Sequence, residues 1–106
     1  NALKVEQYHK EVLLELQKMY PIIGDVRGPG FFQGIELIKN QNSLVPAAEE
    51  AGYLANRMRE HAILMSTDGP HRNVLKIKPP MVFNRSNADF LLTTLDKVLQ
   101  EDFMTV

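Results

Sequence analysis

The chain has no cysteine among its 106 residues. This excludes disulfides, thiol nucleophiles and cysteine-ligated metals. Net charge is also lacking, at −1 with the histidines neutral, so nothing points to a general nucleic-acid or membrane-surface partner. No apolar run approaches the ~20 residues that cross a bilayer, and no signal or transit segment is visible. Glycines do not fall at dinucleotide-loop or P-loop spacing. His9, His61 and His71 are scattered, with no carboxylate at ligand spacing, and read as surface residues rather than metal ligands. Ser43, Ser66 and Ser86 lack a nearby base and the nucleophile-elbow pattern.

What is present is the apolar and charged content of an ordinary globular protein. The length suits one domain that buries roughly two thirds of its unfolded surface, without staples. Residues 2–19 carry Val5, Tyr8, Val12, Leu16 and Met19 at helical spacing, and Pro21 stops that helix. Residues 22–27 read as a weak strand. Gly28-Pro29-Gly30 suits a type II turn, and the apolar run at 31–38 suits a strand covered on both faces. The two strands form a hairpin in which Gly34 marks a bulge or a close backbone approach. Glu36, mid-strand among apolar residues, reads as a carboxylate at the sheet rim or paired with a base.

A second helix is expected from Pro46, a residue favoured in a first turn. Ala47, Ala51, Leu54, Ala55 and Met58 form its stripe, with Glu49, Glu50, Arg57 and Arg59 outward. Residues 63–65 are then a short buried strand. A third helix runs over residues 87–101 with Leu91, Leu95, Val98 and Leu99 inward and Ser86 as its N-cap. The order helix, strand, strand, helix, strand, strand, helix predicts an α+β fold, a small, mostly antiparallel sheet packed by three helices.

The chain is organised around residues 66–80. Asp68-Gly69-Pro70 is a turn signal, Val74 to Lys78 alternates with Leu75 and Ile77 on one face, and Pro79-Pro80 ends the strand or marks it as an edge. Asp68, His71, Arg72, Asn73, Lys76 and Lys78 then lie on or beside a short strand. Arg72 and Lys76 are either solvated charges on an edge strand or an anion clamp, the Lys as a point charge and the Arg as a flat fork. Asp68, Gly69 and Asn73 shape the turn. The residues alone leave both readings open, including a stand-alone anion-binding regulatory or dimerisation module.

The segment Asp25-Val26-Arg27-Gly28-Pro29-Gly30-Phe31-Phe32-Gln33-Gly34-Ile35-Glu36-Leu37 resembles the opening of the C-terminal small domain of class III pyridoxal-phosphate-dependent aminotransferases. Ser66 to Met81 resembles its later strand, which ends in a Pro-Pro pair. Its pattern is similar to the alanine–glyoxylate-aminotransferase-like branch, which includes phospho-lyases acting on phosphoethanolamine and phosphohydroxylysine. The resemblance covers essentially all of residues 1–106. It implies the C-terminal domain of the pyridoxal-phosphate-dependent transferase fold, in a fragment of a longer enzyme, an expectation that the start at Asn1, without an initiator methionine, also suggests. Many members carry Arg at the position of Lys76, where it grips a carboxylate; Lys there suits a phosphate-bearing amine, with Lys76 and Arg72 as substrate-binding candidates. The resemblance further implies a large domain of the same chain that holds the pyridoxal 5′-phosphate and the catalytic lysine, and no catalysis by this fragment alone. It implies a cytoplasmic homodimer, with a mitochondrial location left open, and neither nucleic-acid nor membrane partners.

Overall fold

The computed structural model describes residues 2–27, 34–77 and 85–105. The expected turn at Gly28-Pro29-Gly30, the start of the second strand at 31–33, Lys78, both prolines at 79 and 80 and the stretch 81–84 lie outside the described residues.

Helix α1 (Ala2–Met19) leads into a hairpin of β1 (Ile23–Arg27) and β2 (Gly34–Leu37). Helix α2 (Ala48–Glu60), strands β3 (Met65–Asp68) and β4 (Val74–Ile77), helix α3 (Arg85–Leu99) and a 3-10 turn (Asp102–Met104) follow. The four strands pair in the order β1-β2-β4-β3, every neighbour antiparallel. The α+β expectation therefore holds, element by element. The register slips between Ile23 and Asp25, so the bulge lies there and not at Gly34.

β4 lies between β2 and β3. The edge-strand alternative fails for Val74–Ile77, and with it the reading of Lys76 as a charge placed to protect an edge. Leu75 and Ile77 are buried while Lys76 is exposed, as the alternation required. α2 lies across β2, β3 and β4, α1 lies on β1, and α3 closes against α1 and α2. One continuous core results, with Ile35, Leu37, Leu75 and Ile77 from the sheet meeting Leu13, Leu54, Met58 and Leu95 from the helices.

Several expected boundaries and faces moved. The buried stripe of α1 is centred on His9 and Leu13, both 0% exposed, while Val5, Tyr8 and Val12 are only partly buried and Met19 is 61% exposed. A helix packed against both a strand and a second helix buries a wider arc than one stripe of apolar residues shows. His9 is thus a core residue, not a surface one. α2 begins after Pro46, which instead makes a bridge with Ile38. β3 starts at Met65 and runs through the polar residues 66–68, which the sequence suggested were turn. Ser66 and Asp68 sit in a strand because their face is not covered by the described helices, while Thr67, paired with Leu75, lies on the other face. α3 begins at Arg85, so Ser86 is inside the helix and not its cap.

Candidate functional site

Helices cover one face of the sheet. On the other, strand pairing lines up two rows. Gly34, Lys76 and Ser66 are cross-strand partners in one, and Asp25, Glu36, Val74 and Asp68 in the next. Lys76 and Asp68 are diagonal neighbours, and Lys76 Nζ lies 2.8 Å from Asp68 Oδ2, with the two side chains 57% and 52% exposed. Asp68 Oδ1 also accepts the Gly69 N–H at 2.8 Å. The carboxylate is therefore fixed to its own turn, while the lysine reaches it on a flexible stem. A pair this exposed is worth at most about 1 kcal/mol, so an incoming anion can take the ammonium from Asp68. Gly34, the β2 partner of Lys76, is buried and puts no side chain beside it. A Cβ there would lie 3.1 Å from Val74 Cγ1, so the strand pairing favours glycine at this position.

The turn between β3 and β4 is built for fixed geometry. Gly69 has φ +86° and Arg72 φ +51°, and the Arg72 N–H donates to the Gly69 carbonyl at 3.2 Å. Asn73 is 4% exposed. Its Nδ2 donates to the Leu37 carbonyl at 2.9 Å, and its own carbonyl accepts the Leu37 N–H at 2.8 Å. Asn73 thus ties the turn to β2 from inside the fold. Of the predicted residues, the structure brings Lys76, Asp68 and Gly69 together on or next to the uncovered face. Arg72 is exposed in the turn and makes no ion pair with a described residue. Ser66 and Gly34, beside Lys76, were missed, because they come next to it only through the β3–β4 and β2–β4 registers.

Two other polar groups hold the fold. Arg57 Nε donates to Glu101 Oε1 at 3.0 Å and Nη2 to Oε2 at 2.7 Å, and the Tyr53 hydroxyl donates to the same carboxylate. Arg57, then Tyr53, hold the Glu101 carboxyl at about 2, well below its ordinary value, and Tyr53 stacks on Phe103 with centroids 4.6 Å apart. Arg57, expected to face solvent, is instead a clamp on the C-terminal turn. Between α1 and α3, Tyr8 donates to Asp89 and Tyr20 to Asp96, at the rim of a groove floored by Val12, Leu16 and Leu92. The Asp89 hydrogen bond raises the Tyr8 hydroxyl, and burial, then Asp96, raises that of Tyr20.

Pyridoxal phosphate does not fit the described residues as its holder. A resident cofactor needs an enclosed pocket with a lysine in reach. Every described lysine is exposed, and no described helix covers the sheet face around Lys76. No three described His, Asp or Glu residues group so that they could hold a metal ion.

A four-stranded antiparallel sheet with helices on one face and a lysine–aspartate pair on the other defines an α+β domain. Residues 1–99 match the family described as Aminotransferase class-III, a family of pyridoxal-phosphate-dependent enzymes, and the chain belongs to it. It is 46% identical over 105 residues to an alanine–glyoxylate aminotransferase 2-like protein of Drosophila melanogaster, covering 94% of this chain and 21% of that one. It is also 46% identical over 88 residues to ethanolamine-phosphate phospho-lyase homolog 1 of Caenorhabditis elegans, covering 82% and 19%. Among solved structures, it is similar to a phospholyase from Arthrobacter in complex with phosphoethanolamine. That likeness has a TM-score of 0.85 and 40% identity, over 91% of this chain and 23% of that one. The chain thus spans about a fifth of the length of the curated relatives it matches.

Proposed function

We propose that this chain is the small domain of a pyridoxal-phosphate-dependent class III enzyme. In this reading the domain closes one side of the substrate cleft with its uncovered sheet face, and Lys76 holds the anionic end of an amine substrate there. The cofactor and its lysine belong to a larger domain of the same polypeptide, and the intact enzyme works as a homodimer. The observation that carries the reading is Lys76 itself, an exposed ammonium on the sheet face the described helices do not cover. A lysine is a compact point charge suited to phosphate, where a flat guanidinium suits carboxylate. Arg72, at the end of the same hairpin, adds positive charge to the approach. The likeness to a phospho-lyase homolog and to a phospholyase with phosphoethanolamine supports a phosphate-bearing amine over an amino acid.

What this chain contributes is orientation and charge; it holds the substrate's far end so that the amine faces the cofactor. When bound, the cofactor supplies the electron sink for chemistry at the amine-bearing carbon. The test is a product assay on the full-length protein with phosphoethanolamine. Release of phosphate and ammonia supports a phospho-lyase. Transfer of the amino group to a keto acid without phosphate release assigns a transaminase. Neither product from this substrate or from amino-acid donors sinks the proposal.

A further inference from the structure

We infer that Asp68 is a resident competitor for Lys76, and that exchange of the Lys76 ammonium between Asp68 and the substrate's phosphate governs how readily that phosphate leaves. The inference rests on the proposed reading of Lys76 as the anion-holding residue. Three observations carry it. Lys76 Nζ is 2.8 Å from Asp68 Oδ2, so the ammonium has a carboxylate partner within the domain itself. Asp68 is anchored through Oδ1 to the Gly69 N–H, so it does not follow the lysine when the lysine turns to a ligand. Both side chains are more than half exposed, on the face that the described helices do not cover.

The physical consequence has a fixed direction. An anion that takes Lys76 must displace a tethered carboxylate, and it then stands near that carboxylate's charge. Both effects weaken anion binding, and the second grows with the anion's charge. A phosphate ester at neutral pH carries about 1.5 to 2 negative charges, against one for a carboxylate, so it feels Asp68 more. When phosphate departs, Asp68 recaptures the ammonium, and the site does not remain a bare cation that holds product. Asp68 is therefore a positioning residue that sets affinity, not a group that touches the reacting atoms.

The experiment uses the intact enzyme and two inhibitors, inorganic phosphate and acetate, with Asp68→Asn. Asparagine keeps an oxygen to accept the Gly69 N–H, so the turn is retained; Asp68→Ser is the second variant should the first fold poorly. In Asp68→Asn the inhibition constant of phosphate is expected to fall by about tenfold, as expected for losing one nearby like charge. That of acetate falls less, and the substrate KM falls together with that of phosphate. A merely structural role for Asp68 would not scale with inhibitor charge. An unchanged or raised phosphate inhibition constant, or equal changes for phosphate and acetate, overturns the inference. Lys76→Ala separates the two levels. Should it leave phosphate inhibition unchanged, the anion site itself is wrong. Should it weaken phosphate while Asp68→Asn changes nothing, the site stands and the competitor role falls.

Discussion

Arg72 holds φ at +51°, a region that costs an L-residue roughly 1–2 kcal/mol. Glycine pays no such cost, so Arg72→Gly is expected to leave the melting temperature unchanged or raised while removing the charge. Thermal unfolding and substrate KM, measured on the same variant, then separate backbone from charge, and a strongly destabilised Arg72→Gly would contradict this account. The opposite change, Gly69→Ala at φ +86°, is expected to destabilise by about 1–2 kcal/mol, because it combines a left-handed backbone with a Cβ 3.3 Å from Val74 Cγ2. Glu101 gives a pH prediction. Its folded value is lowered from 4.5 to about 2, so its contribution is complete above the unfolded value and is lost as pH falls from about 4.5 towards 2. Glu101→Gln should flatten the acid limb of the stability curve in that window, read by denaturant midpoints at a series of pH values; an unchanged limb would remove Glu101 from acid unfolding. At this scale the sequence was a partial guide. Lys76, Asp68 and Gly69 stood out by type and spacing. His9 did not, because an imidazole in a helix looks polar until the neighbouring strand and helix are known. The Arg57–Glu101 clamp joins residues 44 positions apart, which no local pattern shows.

At the scale of elements, periodicity and turn residues gave the order of the seven main segments, though β3 lies at Met65–Asp68 and not at 63–65. What it could not give was strand order. Two prolines after residue 77 made β4 look like an edge, yet β2 and β3 flank it, because β2 returns through α2 before the β3–β4 hairpin forms. The polar residues 66–68 read as turn for the same reason that they form strand, since the sheet's uncovered face accepts Ser and Asp. An interior β4 makes a prediction that an edge strand would not. Leu75, 0% exposed between two paired strands, should cost about 2–5 kcal/mol when replaced by alanine. A loss under about 1 kcal/mol by denaturant titration would contradict a central position for this strand. Asn73→Ala should cost about 1 kcal/mol by removing one of the two hydrogen bonds that the Leu37 carbonyl accepts, the other coming from the Ala47 N–H. The same variant tests whether the tie between turn and β2 is needed to hold Lys76 in place, since a loosened turn would also raise substrate KM.

For the molecule as a whole, the three helices serve mainly to hold a four-stranded sheet with one face left uncovered, and that face carries the account. The resemblance of residues 25–37 and 66–81 to one enzyme family agreed with the family match over residues 1–99, so the class was legible in the sequence. Which groups surround Lys76 was not, since that depends on register. The most direct test is steady-state kinetics of Lys76→Ala in the full-length enzyme with a phosphate-bearing amine, alongside the absorbance of its bound cofactor. The account predicts that kcat/KM falls by at least about tenfold, mainly through KM, as expected for loss of one charged contact to the substrate, with cofactor absorbance unchanged. Kinetics identical to the parent would show that the uncovered face does not hold the substrate's anion.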